Sequence, residues 1–242
     1  MAVSNRIANR QQEEKKSQVI EYQCGEEIVK ISPSIIRNYL VSGNGNVTDQ
    51  EVGMFLNLCR FQHLNPFLRE AYLIKYGNQP ATIAVGKEAI TKRAMRNPAY
   101  EGQQAGVVVQ NPDTGEIEYR NGSLVLKGET LVGGWAKVYV KGYQVPIEAV
   151  VSFDEYVGLK NDGTVNGQWS KKPATMIRKV ALMQALREAF PADLGGMYAT
   201  EEVGVTIDEG SMQPIEVEAA VVEDAPEEPV AAQATMEELG DF

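Results

Sequence analysis

Residues 168–179 combine cationic, hydroxyl and aromatic side chains in a pattern that is typical of contacts with nucleic acid. If this segment is helical, one side carries polar side chains at a spacing suited to phosphate groups: Lys171, Thr175, Arg178 and Lys179. Met176, Val180, Met183 and Phe190 share another side, so one face can pack while the other contacts phosphates. Lys172 belongs to the same basic run, and Gln168 precedes it.

Trp169 stands directly before this basic run, and its indole has two possible uses. An exposed indole would stack on an unpaired base. A buried indole would instead contribute to the core or to an interface. The sequence leaves both alternatives open.

Two further groups of cations have the spacing of a binding surface. A helix predicted over residues 86–97 brings Lys92, Arg93 and Arg96 within about 100° of one another. Strand alternation over residues 136–141 places Lys137, Tyr139 and Lys141 on one sheet face, and Lys127 lies in or beside the same hairpins. A lysine–aromatic–lysine face suits single strands, although an ordinary solvated face is the alternative for both groups.

The sequence lacks the motifs of several common classes of enzyme. The chain has no GxxxxGK[ST] loop for ATP, no GxGxxG that opens a helix after a strand, and no GxSxG. Its single histidine, His63, excludes HExxH and multi-histidine metal sites, and we expect a capping or hydrogen-bonding role for it. Asp113, Glu116 and Glu118 leave a metal-dependent nuclease as a rival hypothesis.

The net charge of −10 conceals two parts of opposite character. Residues 201–242 contain 13 acidic and no basic side chains, so residues 1–200 carry 23 basic against 20 acidic ones, a net +3. The body can therefore bind a polyanion. The tail either maintains solubility, competes with DNA or recruits a partner.

Composition predicts a globular, intracellular protein. Hydrophobic residues make up 43% of the 242 residues, enough for a core, and no run approaches ~18 consecutive apolar residues. Only Cys24 and Cys59 are present, which favours a reducing cytoplasm.

The order of helices, strands and hairpins predicts an α+β fold, in which a small antiparallel sheet with hairpins packs on helices. We expect a flexible N-terminal arm over residues 1–30, a DNA-binding and oligomerisation core over 31–205, and a disordered acidic C-terminal tail over 206–242. Within the core, Thr48-Asp49-Gln50-Glu51 predicts a capping box. Residues 111–115 predict a hairpin turn, and residues 173–190 the longest helix.

Several spaced motifs resemble the RecT/Bet (Red-beta) family of phage recombination proteins, and the RecT branch in particular. The first is Leu64-Asn65-Pro66-Phe67 followed by residues 70–75. The second is Trp169-x-x-Lys172-Pro173-Ala174-Thr175-Met176-Ile177-x-Lys179, which continues through residues 185–191 and 195–202. The resemblance covers roughly residues 45–205 in the family's order.

This resemblance implies a non-catalytic protein that binds single-stranded DNA and anneals complementary strands without ATP. It implies a fold distantly like the eukaryotic annealing mediators and an oligomeric ring or filament. The implied partners are single-stranded DNA, annealed duplex, further copies of the chain, a cognate phage exonuclease and the host single-strand-binding protein, in the cytoplasm of a bacterial host. It implies no cofactor, with Mg²⁺ only as a phosphate counterion, and it strengthens the phosphate-binding hypothesis for residues 171–179. Besides the nuclease, the rival hypothesis is a structural oligomer such as a phage scaffold.

Overall fold

The computed structural model describes residues 19–160 and 162–204. They form a two-stranded hairpin, a three-stranded sheet and a four-stranded sheet, with helices packed between them. The predicted α+β class with small antiparallel sheets on helices is confirmed. The predicted tail over 206–242 lies outside the described residues. Within the described part of the chain, no helix is both long and apolar enough to cross a membrane.

The largest sheet is fully antiparallel and has the strand order β7-β6-β8-β9. Its strands are β6 (Tyr100–Gln110), β7 (Ile117–Asn121), β8 (Thr130–Val140) and β9 (Ile147–Ser152). The turn between β6 and β7 is the predicted one, because the Asn111 Oδ1 accepts the backbone N–H of Asp113 at 2.9 Å. The strands thus follow from the alternation of apolar and polar residues, and the tight turn follows from its Asn, Pro, Asp and Gly residues.

The smaller sheet contains one parallel pair that the sequence does not predict. Its strands are β3 (Val41–Gly43), β4 (Ala71–Lys75) and β5 (Thr82–Val85), and β3 runs parallel to β4. Residues 43–46 read as a plain loop, but Gly43 lies directly against strand β4. A Cβ at Gly43 would come 2.2 Å from the Lys75 carbonyl oxygen, so only glycine permits this pairing.

Seven helices or helical turns lie in the described residues, together with two irregular turns. They are α1 (Pro33–Ile35), α2 (Asp49–Phe61), α3 (Lys87–Arg96), α4 (Phe153–Tyr156), α5 (Gly167–Lys171), α6 (Pro173–Ala189) and α7 (Pro191–Leu194). A π-helical turn spans Ile36–Leu40, and a 3₁₀ turn spans Pro66–Leu68. Pro173 occupies the first position of α6, where its missing N–H costs no hydrogen bond, and α6 ends one residue before the predicted end.

Helix α6 is the centre of the core rather than an amphipathic surface helix. It packs on β6, β8 and β9 on one side and meets α3 and α7 elsewhere. Eight of its residues are buried, including Ile177, Val180 and Leu186. On the sheet, the facing side chains are small or branched, such as Ala136 and Val138. The predicted packing side is confirmed, since Met176, Val180, Met183 and Phe190 are buried. On the predicted polar side, Thr175, Arg178 and Lys179 are half-buried rather than fully exposed.

The segment predicted as part of a flexible arm contains an ordered hairpin. Strands β1 (Ile20–Cys24) and β2 (Glu27–Ile31) pair in antiparallel register around Gly25. Tyr22 is buried and its hydroxyl donates to the Leu64 carbonyl oxygen at 2.7 Å. The sequence did not predict this hairpin, because the polar residues on its exposed face resemble those of a solvated segment. Residues 1–18 lie outside the described residues.

One carboxylate, that of Glu51, joins α2 to both strands of the β4–β5 hairpin beside its turn. The predicted capping box is confirmed, since Glu51 Oε2 accepts the Thr48 N–H at 2.8 Å. Its other oxygen accepts the Lys75 ammonium at 2.6 Å and the Ala81 N–H at 2.7 Å. The Lys75 hydrogen bond, followed by these backbone amides, lowers the pKa of Glu51 to about 2.

We predict that Glu51→Gln lowers the stability of the fold in a pH-dependent way. A depressed carboxyl pKa stabilises the folded state above the unfolded pKa of about 4.3, and this contribution is lost as the pH falls through about 2. Thermal unfolding midpoints of wild type and variant should therefore differ most near neutral pH and converge toward about pH 2. A difference that stayed constant over this range would show that the charge of Glu51 is not what stabilises the junction.

We also predict that Gly134→Ala destabilises the protein by about 1–3 kcal/mol in urea unfolding. A Cβ at Gly134 would lie 2.5 Å from the Ile177 carbonyl oxygen, so α6 would have to move away from β8. Gly53→Ala is the matched control, because that site in α2 has open space and the change should stabilise the helix by about 0.5–1 kcal/mol. Equal effects of the two changes would contradict the proposed close approach.

Candidate nucleic-acid interface

The junction between α5 and α6 presents the exposed part of the predicted basic segment. Lys171 ends α5 and Lys172 precedes α6, and both side chains are exposed. Within the described residues, neither ammonium has a carboxylate at ion-pair distance. In the first turn of α6, Pro173 has no N–H and the Met176 N–H donates to the Lys172 carbonyl oxygen at 3.1 Å, so the positive charge of the junction comes from the two lysine side chains. This junction has the charge required to hold a phosphate.

The remaining polar residues of this segment are half-buried and make contacts within the protein. The Arg178 Nε donates to the Ala105 carbonyl oxygen at 3.2 Å. The Lys179 ammonium lies 2.8 Å from the carboxylate of Glu201, which is 7% exposed. Thr175 and Gln168 are intermediate in exposure. A phosphate role for Arg178 and Lys179 stays a prediction, and it would require a phosphate to join or replace these contacts.

Trp169 belongs to the core. Its side chain is 2% exposed and meets the Phe153 ring edge-on, with the ring centroids 5.8 Å apart. The Asn166 Oδ1 caps α5 by accepting a hydrogen bond from the backbone N–H of Trp169 at 3.1 Å. This cap fixes the start of α5, and with it the position of the indole beneath the junction. The stacking alternative for Trp169 is therefore wrong in this structure, because no face of the indole is open to a base.

Lys137 and Tyr139 share the outer face of the four-stranded sheet, as the alternation predicts. Their neighbours Ala136 and Val138 point into the core on the opposite, inner face, where α6 lies. The Tyr139 hydroxyl donates to Gln104 Oε1 at 3.2 Å. Lys141 follows the end of β8 in an exposed turn, and Lys127 is exposed in the loop before β8.

Lys92, Arg93 and Arg96 line a concave cleft of about 380 Å³ between α3, the end of α2 and the β1–β2 hairpin. We call it the α3 cleft. The Arg93 guanidinium donates to the Gln62 carbonyl oxygen at 2.6 Å, whereas Arg96 is exposed. Lys92 lies 3.3 Å from Glu70, the carboxylate of the lining. Three cations of one helix thus face a single carboxylate in a concave surface, which is the arrangement that concentrates positive potential.

His63 and Cys24 complete the α3 cleft, and sequence reasoning did not place them there. The predicted hydrogen-bonding role of His63 is confirmed by its Nδ1, which lies 2.7 Å from the Gln23 carbonyl oxygen. Burial, and then the carboxylate of Glu70, raise the pKa of the Cys24 thiol. Cys24 is thus an uncharged part of the wall. The β1–β2 hairpin, which the sequence did not predict, places Cys24 beside His63 and α3. The local sequence pattern therefore did not indicate that these residues line the cleft.

The predicted residues therefore occupy three surfaces rather than one groove. The α5–α6 junction and the α3 cleft belong to the same helical layer, since α3 packs against α6. Lys137 and Tyr139 lie on the other side of the four-stranded sheet. A strand that contacted all of them would have to pass around an edge of the sheet.

The carboxylates of the rival nuclease hypothesis do not form a metal site. Asp113 lies in the β6–β7 turn, and Glu118 forms an ion pair of 2.6 Å with Arg120. Across residues 19–160 and 162–204, no three His, Cys, Asp or Glu side chains are grouped so as to hold a metal ion. The geometry gives the nuclease hypothesis no support.

Comparison with known protein families matches residues 26–219 to the RecT family. The chain belongs to the RecT family. The match covers all three cationic surfaces apart from the β1 side of the α3 cleft. The chain is also similar to the uncharacterized protein UU154 of Ureaplasma parvum serovar 3, with 30% identity over 161 residues. That alignment covers 65% of this chain and 63% of the relative, so the chain spans less than two thirds of the relative's length.

In this RecT-family chain, the first acidic residues after the core fold back onto α6. The Arg187 guanidinium binds Glu202 through two hydrogen bonds of 2.9 and 2.6 Å, and it lies 4.5 Å from the centroid of the Tyr198 ring. The Glu202 side chain is 4% exposed. Together with the Lys179–Glu201 pair, this contact fixes the turn that follows α7.

We predict that Arg187→Met destabilises the RecT-family core by about 3 kcal/mol, because Glu202 would remain buried without a partner. Lys30→Met is the matched control. Its pair with Glu21 is open to solvent, with 66% and 52% of the two side chains exposed, so its loss should lower the stability far less than the loss of Arg187. Urea unfolding measures both. Similar small losses would contradict a structural role for the Arg187–Glu202 pair.

Proposed function

We propose that this protein binds single-stranded DNA and anneals complementary strands, as a homo-oligomer that needs no ATP. Membership of the RecT family, a family of single-strand annealing recombination proteins, is the observation that carries the proposal. Cationic surfaces on a chain whose body carries a net positive charge support it. The absence of an ATP-loop motif in the sequence agrees with nucleotide-independent action.

The mechanism follows from the repulsion between two polyanions. Complementary strands can pair only when positive charge offsets the phosphates of both backbones. Contacts to phosphate fix the position of a strand and leave its base edges free to find their partners. Several weak contacts per subunit gain strength when subunits assemble along one strand, because the effective concentration rises.

We assign the phosphate contacts first to the helical layer. Arg96 and Lys92 in the α3 cleft, and Lys171 and Lys172 at the α5–α6 junction, are the exposed cations of that layer. The Lys92 side chain is 54% exposed, so its ammonium can reach a phosphate, while the largely buried Glu70 keeps the hydrogen bond from the Asn65 backbone N–H at 2.8 Å. Mg²⁺ acts in this proposal only as a counterion of phosphate.

In its biological setting, the proposed protein works in the cytoplasm of a bacterial host. A phage exonuclease supplies single strands, and the host single-strand-binding protein competes for them. These partners are the ones that the resemblance to the RecT family implies.

We predict that the double variant Lys92→Ala/Arg96→Ala weakens binding to oligo(dT) and flattens its salt dependence. Each lost phosphate contact should reduce the slope of log K against log salt by about 0.7. Fluorescence anisotropy of a labelled oligonucleotide over a salt series measures both. The control is Lys30→Ala/Lys160→Ala, which removes the same charge from exposed sites elsewhere. Identical slopes of log K against log salt in the two double variants would show that the α3 cleft does not contact DNA.

We predict the same kind of loss for Lys171→Ala/Lys172→Ala, and it should be equal for oligonucleotides of different sequence. Phosphate contacts carry no sequence information, so the affinities for homopolymers and mixed sequences should fall by one factor. A loss confined to one base composition would instead indicate contact with base edges. The same binding titrations and the same control apply.

A further inference from the structure

The outer face of the four-stranded sheet carries an aromatic groove that phosphate binding does not explain. The groove has a volume of about 400 Å³ and is lined by Gln104, Tyr119, Asn121, Trp135, Lys137 and Glu148. Tyr119 stands on edge strand β7 and is 55% exposed. Its ring and that of Trp135 are 6.4 Å apart at the centroids and tilted by 58°. The sheet thus presents an open aromatic ring beside a largely covered one.

The groove depends on the absence of a side chain at Gly106. Trp135 points to the outer face, yet it is only 6% exposed, because its indole lies over the neighbouring strand at Gly106. A Cβ at Gly106 would come 2.6 Å from the indole nitrogen. Without that Cβ, the indole N–H reaches the Arg120 carbonyl oxygen of β7 at 3.3 Å. The indole therefore forms a fixed floor, held across two strands.

The polar residues of the groove match the edges of a nucleobase. Gln104 and Asn121 supply amide groups that both donate and accept hydrogen bonds. Lys137 lies 6.0 Å from the centroid of the Trp135 rings and 3.4 Å from Glu148, with about a third of its side chain exposed. Such a partly exposed ion pair contributes little, so the lysine can turn to a phosphate beside a bound base.

We propose that this groove binds an unstacked base of single-stranded DNA, with Tyr119 as the stacking residue. The inference rests on the proposed function and adds a second kind of contact to it. Because neighbouring pairs cover both faces of a base within a duplex, only a single strand can offer a base to Tyr119. This contact is therefore available to an unpaired base and is lost when that base pairs.

The occupant is a base rather than a second protein chain because amides and a cation line the aromatic floor. A protein–protein contact would favour an apolar centre from which charged residues are depleted. Here Lys137 and Glu148 lie in the groove itself. An interface between copies is the competing outcome of the test below.

The test compares Tyr119→Ala with Tyr119→Phe and with Tyr39→Ala, a control at another exposed tyrosine. Three probes of equal length are titrated by fluorescence anisotropy: oligo(dT), an oligonucleotide with abasic sites, and a duplex. Loss of one base–aromatic stack should weaken oligo(dT) binding by roughly fivefold or more in Tyr119→Ala. Binding of the abasic strand and of the duplex should stay within about twofold of wild type, as should all binding by the other two variants.

Four results would overturn the inference. Equal loss on the abasic strand would assign Tyr119 to charge or structure rather than to stacking. A change in oligomeric mass of Tyr119→Ala by light scattering, accompanying the loss, would make the groove an interface between copies. If Tyr119→Ala bound oligo(dT) as tightly as wild type, and wild type still annealed strands, the groove would not be a base-binding site. The proposed function would be unaffected by that result. Failure of wild type to bind any strand would instead reject the proposed function and the inference with it.

Discussion

The close contact of α6 with the inner face of the four-stranded sheet is the constraint on which the remaining structure depends. It requires a glycine at position 134, because a side chain there would meet the backbone at Ile177. It also requires small residues such as Ala136 opposite the helix, so that strands and helix interlock without cavities. Because contacts on several sides enclose α6, Arg178 and Lys179 on its flank are only half-exposed. Of the predicted cations between residues 171 and 179, Lys171 and Lys172 at the start of the helix are the exposed ones.

This constraint explains why positive charge appears on separate surfaces. The α5–α6 junction lies at the exposed start of the buried helix, and the α3 cleft lies where a second helix packs against it. The opposite face of the sheet carries the aromatic groove around Trp135. The proposed phosphate contacts and the proposed base contact thus lie on different sides of one sheet. Of the two, only phosphate contacts can persist while bases pair.

Local patterns predicted the elements that local interactions determine. The capping box at Thr48 and the alternation that exposes Lys137 and Tyr139 are properties of a few adjacent residues, and the structure confirms them. The β1–β2 hairpin and the burial of Trp169 depend on contacts between distant segments, which a pattern of polar and apolar residues does not encode. The same limit applies to the charged residues. The sequence showed where the cations cluster, but it did not show which of them already face a carboxylate of the same chain, as Lys92 and Lys179 do.

The most direct test of the account is the rate at which two complementary, dye-labelled oligonucleotides pair in the presence of the protein, without ATP and over a salt series. The account predicts faster pairing than the spontaneous reaction, strands that stay full length with or without Mg²⁺, and an acceleration that declines as salt screens the phosphate contacts. Pairing at the spontaneous rate at every salt concentration, by a folded protein, would contradict it. Strands shortened in Mg²⁺ would contradict it in favour of a nuclease.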